Sequence, residues 1–152
     1  MILDRFKLDG KVALVTGAGR GIGAGIALGF AEAGADVVCA ARTQAEIDQV
    51  AAQVRGRGRR ALAVPCDVME RAQLEALVAR AMSEFGRIDI LVNNAGGSPW
   101  KPFLRTSERE FEDSFRFNVT SAFLLARFAV PHMLAAGGGA IVNISSAMGR
   151  IT

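Results

Sequence analysis

Eight residues, Thr16-Gly-Ala-Gly-Arg-Gly-Ile-Gly23, hold four glycines and one arginine directly after the apolar run Lys11-Val-Ala-Leu-Val-Thr16. Glycines let backbone N–H groups approach a ligand closely, and a helix starting behind such a turn adds the positive end of its dipole. Together they can hold a pyrophosphate. The spacing Gly17-x-x-x-Gly21-x-Gly23 departs from G-x-G-x-x-G, with Gly19 lying between, and no Gly-Lys-Ser/Thr follows, so the turn is not a P-loop. A plain tight turn would use the same residues; the position between a strand and a helix favours the ligand. Metal chemistry has no footing: Cys39 and Cys66 stand in apolar runs without Cys-x-x-Cys or Cys/His spacing, and read as reduced, buried thiols. Tyrosine is absent, and lysine occurs only at Lys7, Lys11 and Lys101.

The elements that must position this turn alternate regularly. Lys11–Thr16 reads as a buried strand and Ile22 to about Ala33 as an apolar helix closed by Gly34. Ala35–Ala40 is a second strand, followed by a helix to about Val54 with Thr43 and Glu46 as a capping box. Ala61–Val64 is a third strand. Leu74, Leu77, Val78, Ala81 and Met82 place a helix over about 70–85. Ile88–Val92 is the fourth strand. Ser107 with Glu110 starts a long helix to about Leu134, and Ala140–Ser145 is the fifth strand after Gly137-Gly-Gly139. Such alternation predicts an α/β domain, a doubly wound parallel sheet with right-handed crossovers, over 1–152.

Composition narrows the function classes. With 51% hydrophobic and 22% charged residues, the chain can bury one core and is not disordered, and no stretch reaches the length of a membrane span. A net charge of +3 makes no case for nucleic acid, and Arg55-Gly-Arg57-Gly-Arg59-Arg60 reads as a solvated loop. Asp4 and Asp9 interrupt the N-terminus, which therefore lacks the apolar region of a signal peptide; a cytoplasmic location is expected.

Thr16-Gly-x-x-x-Gly-Ile-Gly23, Asn93-Asn-Ala-Gly96 after the fourth strand, Asn118 in the long helix and Ile141-Val-Asn-Ile-Ser-Ser146 follow one another in the order and spacing of the short-chain dehydrogenase/reductase family, which the chain resembles from residue 11 onward. The resemblance implies a Rossmann-type NAD(P)-binding domain. It assigns Gly17, Gly19, Arg20, Gly21, Ile22 and Gly23 to the phosphate turn, and Asn94, Ala95 and Gly96 to the cofactor ribose. Asn93 and Asn94 would also pin the central strands. Asp67 and Val68 would meet the adenine, with helix capping an open alternative for Asp67. At the end of the second strand, where a carboxylate would accept from a ribose 2′-OH, stand Ala41 and Arg42. Arg42 with Arg20 suits a 2′-phosphate, so NADP(H) is expected over NAD(H).

The same resemblance makes Ser146 the hydrogen-bond partner of a carbonyl or alcohol substrate and Asn118 the holder of a water in the proton relay; the plainer roles are a turn contact and a helix kink. A tyrosine and a lysine four residues later would lie about a dozen residues past Ser146, beyond Thr152. The five-stranded domain is therefore incomplete relative to the family and truncated before that helix, and the chain alone is expected to be inactive. A non-catalytic dinucleotide-binding remnant or sensor is the alternative. His132 reads as a partner of the helix dipole. Trp100 and Phe103 either shape a substrate mouth or pack on the long helix. Phe111, Phe115, Val119, Ala122, Phe123 and Ala126 form a stripe wider than one sheet face needs, and in the family this helix joins subunits as a homodimer or homotetramer.

Overall fold

The computed structural model describes residues 1–147; residues 148–152 of the expected domain lie outside that range. Five strands, β1 (Val12–Thr16), β2 (Asp36–Ala41), β3 (Ala61–Pro65), β4 (Ile90–Asn93) and β5 (Ala140–Asn143), pair in parallel in the order β3-β2-β1-β4-β5. The chain winds outward from β1 to β3, then returns to the other side of β1 at β4. That reversal opens a crevice at the carboxyl ends of β1 and β4.

Helices α1 (Gly21–Glu32) and α2 (Gln44–Gly56) cover one face. Val15, Val37, Cys39 and Val92 point into it against Ala27, Ile47 and Val54. On the other face Leu14, Val38 and Leu91 pack against Leu74, Leu77 and Val78 of α3 (Arg71–Phe85) and Leu125 and Ala129 of α5 (Ser121–Ala135). Strand residues alternate between the faces, so a run apolar at every position is what a sheet covered on both sides requires. Gly86, with φ +73°, ends α3 in the left-handed conformation, and its N–H donates to Met82 O at 2.8 Å.

The long helix expected over 107–134 is interrupted. Ser107 and Glu110 form the expected capping box at the start of α4 (Glu108–Phe115), but a π-helical turn at Arg116–Thr120 separates it from α5. Asn118 sits in that turn, where the ladder admits an extra residue. The capping box at Thr43 does not form: Thr43 precedes α2 without a side-chain cap, and Glu46 turns elsewhere. The Arg55–Arg60 segment is also more engaged than a solvated loop. Arg57 Nε pairs with Glu32 at 2.9 Å, Arg60 Nη2 with Glu84 at 2.9 Å, and the Arg60 guanidinium lies 4.5 Å from the Phe85 ring centroid. These contacts use acids from α1 and α3 that are remote in sequence.

At the opposite end of the strands from the crevice, the Asp89 carboxylate accepts from Val12 N at 2.9 Å and from Arg87 Nη2 at 2.6 Å, with Lys11 Nζ at 3.4 Å. It is 5% exposed. Burial is the largest influence and pushes its pKa up, but the hydrogen bonds from Arg87 and Val12 and the nearby cations outweigh it and hold Asp89 below the usual carboxylate value. This latch fixes the entry to β4 beside β1, so the far ends of both strands arrive at the crevice in register.

Candidate functional site

A cleft of about 240 Å³ opens over the carboxyl ends of β1 to β4. Its floor is a knot of hydrogen bonds around Thr16. The buried Thr16 hydroxyl donates to Val92 O at 3.3 Å and accepts from Asn94 N at 3.1 Å and Ala95 N at 3.0 Å. Asn94 Nδ2 donates back to Thr16 O at 2.9 Å and Gly17 O at 3.3 Å. The end of β4 is thereby sewn to the glycine turn. A Cβ on Gly17, whose φ is +64°, would lie 2.8 Å from Asn94 Nδ2, and one on Gly23 would press on Gly17 O. Two of the glycines are therefore required by backbone proximity.

Behind the turn, α1 begins at Arg20 with no side-chain cap and no acidic residue in its first turn. Its N–H groups and its dipole thus lack the anionic or hydroxyl partner that helix starts ordinarily have. This arrangement fits a dinucleotide pyrophosphate. Gly17, Gly19, Arg20, Arg42, Asp67, Val68, Asn94, Ala95 and Gly96 all line the one cleft. Gly21 and Gly23 are not on its wall; Gly23 serves the contact between helix and turn. Ile22 is 68% exposed and faces the adjoining groove instead.

Asp67 does not cap a helix. Glu70 precedes α3, while Asp67 Oδ1 accepts from Met69 N at 2.9 Å, which shapes the loop that carries Val68 on the cleft wall. Thr43, Glu46, Cys66 and Phe117 also line the cleft and were not foreseen there. Glu46 was legible only as a helix-capping residue, because its approach to Gly19 depends on how α2 packs beside the turn. Burial pushes the Cys66 thiol up to about 11 and the Cys39 thiol to about 12, so both are protonated near neutrality and neither is a nucleophile.

Asn94, Ala95 and Gly96 are shared with a second, larger groove, of about 1330 Å³, whose walls bring Asn118 and Ser146 together with Trp100 and Phe123. Asn118 Oδ1 accepts from Gly97 N at 2.9 Å, and Nδ2 donates to Gly97 O at 2.9 Å and Ser114 O at 2.9 Å. The amide bridges the π turn to the loop after β4. It performs the plainer role foreseen for it, holding the helix interruption, and that role fixes its backbone at the groove. Asn93 Nδ2 donates to Asn143 Oδ1 at 2.8 Å, which ties β4 to β5 and sets where the following serines emerge. Trp100 stands 93% exposed on the groove rim, whereas Phe103, 89% exposed, does not line the groove. The loop carrying them is held by Lys101 Nζ on Glu110 at 2.6 Å; this contact, with Ser107, lowers the Glu110 pKa to about 2.

Among the described residues no group of three His, Cys, Asp or Glu side chains could hold a metal, and no helix is long and apolar enough to cross a membrane.

The family profile described as short chain dehydrogenase matches residues 11–152. An oxidoreductase of Mycobacterium tuberculosis is 51% identical over 99% of this chain and 58% of its own length. The 2-dehydro-3-deoxy-D-gluconate 5-dehydrogenase of Escherichia coli is 44% identical over 96% of this chain and 57% of its own. Among solved structures, a 7 alpha-hydroxysteroid dehydrogenase complexed with NADH and 7-oxo glycochenodeoxycholic acid superposes with a TM-score of 0.95 at 40% identity, covering 98% of this chain and 58% of that one. The chain thus spans less than three fifths of the length of these relatives. The glycine turn joined to β4 through Thr16 and Asn94, the five parallel strands in Rossmann order and the profile match agree, and the chain belongs to the short-chain dehydrogenase family.

Proposed function

We propose that residues 1–152 are the dinucleotide-binding portion of an NADP(H)-dependent oxidoreductase acting on a carbonyl or secondary-alcohol substrate. The observation that carries this reading is the uncapped start of α1 behind the glycine turn, in a cleft continuous with the groove that holds Asn118 and Ser146. The bound cofactor supplies the hydride exchanged with the substrate carbon. The turn and α1 hold its pyrophosphate, Asn94 to Gly96 border its ribose, and Asp67 and Val68 border its base. Ser146 hydrogen-bonds the substrate oxygen, and Asn118 keeps a water of the proton relay beside it. Arg42 and Arg20, with Ala41 where an acid would stand, give the preference for a 2′-phosphate.

The chain contains no tyrosine to pass the hydroxyl proton and no lysine beyond Lys101, so by itself it binds without turnover. A non-catalytic dinucleotide holder shares this property; the presence of Asn118 and Ser146 favours the enzyme reading. Phe111, Phe115, Val119 and Phe123 lie along one exposed face of α4 and α5 and suit a homo-oligomeric contact. The free, buried cysteines suit the reducing cytoplasm.

Fluorescence titration of the chain should find NADPH bound about tenfold more tightly than NADH, a gap of the size that charge-assisted phosphate contacts supply. Tighter NADH would overturn the cofactor preference, and binding of neither would overturn the site. Carbonyl reduction by this polypeptide would overturn its catalytic incompleteness.

A further inference from the structure

Glu46 lies in the first turn of α2 and folds back onto the glycine turn instead of capping its own helix. Its Cβ and Oε2 stand 2.9 Å from where a Cβ on Gly19 would be, so the side chain rests against that backbone and any larger residue at 19 would displace it. Oε1 is 4.0 Å from Arg20 Nη1. Glu46, Arg20, Arg42, Thr43 and Ala41 all line the cleft. The position at the end of β2 lacks an acid, yet the folded chain returns a carboxylate to the same cleft from four residues after Arg42.

We propose that Glu46 is a specificity-determining residue that weakens the 2′-phosphate preference set by Arg20 and Arg42. A 2′-phosphate entering this cleft meets the Glu46 charge as a repulsion and competes with it for Arg20. A 2′-hydroxyl carries no charge to be repelled and can donate to the same oxygen. Glu46 therefore narrows the gap between the two dinucleotides, and the chain accepts both. This assignment rests on the dinucleotide reading of the cleft, and the test separates the two.

The probes are 2′,5′-ADP and 5′-AMP, which differ only in the 2′ substituent, titrated calorimetrically into the full chain. Glu46→Gln keeps the shape and packing on Gly19 while removing the charge. It should tighten 2′,5′-ADP roughly two- to fivefold and move 5′-AMP less than about 1.5-fold, the range that a partly exposed ion pair spans. In an Arg20→Met background the gain for 2′,5′-ADP should fall by about half or more, because the competition for Arg20 is gone. An equal change for both probes, or no change for either, would overturn the assignment and leave Glu46 a packing residue. Failure of the unaltered chain to bind either probe would bring down the dinucleotide reading, and the Glu46 assignment with it.

Discussion

β1 and β5 are both short, apolar, parallel strands, Val-Ala-Leu-Val-Thr and Ala-Ile-Val-Asn, yet every residue of the first is buried and every residue of the second is exposed. Their chemistry is the same and their surroundings are not. β1 lies between β2 and β4 with helices on both faces, whereas β5 is the edge of the sheet, bonded to β4 alone. A parallel strand contributes stability through what covers it, and hydrophobic sequence supplies only the capacity. The same contrast divides the site. The floor of the first cleft is fixed by bonds among Thr16, Asn94 and Gly17, while the adjoining groove is walled by exposed Trp100 and Phe123 and by the unburied β5 side.

The comparison sharpens most in a pair of truncations. Leu14→Ala, at a fully buried position, should cost about 3–4 kcal/mol of unfolding free energy, while Ile141→Ala, 40% exposed, should cost about 1 kcal/mol or less. Urea denaturation of both variants checks the difference; equal losses would mean that β5 is covered as β1 is.

A smaller effect tests the latch that aligns the two central strands. Asp89→Asn should cost about 2 kcal/mol near pH 7, the worth of charge-assisted hydrogen bonds at a buried carboxylate. Because the folded pKa of Asp89 lies below the unfolded value of 3.8, its stabilisation is full above that value and is lost as the pH falls through the folded one. Denaturation curves of the parent and the variant should therefore converge at acid pH, and a gap that widened on acidification would contradict the latch.

The smallest expected effect concerns the exposed face of α4 and α5, where the Phe111 and Phe115 rings lie 5.3 Å apart and Phe123 continues the row. Phe123→Ser should leave the folded monomer nearly unchanged but weaken self-association by about tenfold in sedimentation equilibrium, as loss of one aromatic anchor does. A chain that is monomeric before and after the change would remove this face from consideration as an interface.

Helices and strands were legible because the apolar periods of Leu74, Leu77, Val78 and Ala81 and of the buried strands report which faces meet a core. The glycine turn was legible because few residue types tolerate such close backbone approach. The π-helical turn at Arg116–Thr120 was legible only as the kink that Asn118 could satisfy, since an extra residue leaves the apolar stripe of the helix nearly continuous and shows in the bonds of Asn118 to Gly97 and Ser114. The partners of Arg57 and Arg60 escaped for a related reason: Glu32 and Glu84 come close only when α1 and α3 flank α2 and β3.

By itself, the sequence determined the order of the strands and helices, the glycine turn and the family, because backbone preference and hydrophobic period act locally along the chain. The tertiary structure alone decided that Glu46 leaves its helix cap to rest beside Gly19 and that Asn118 bridges two segments. Those outcomes depend on which surfaces meet across long sequence separations, and a side chain's burial and partners are settled only there.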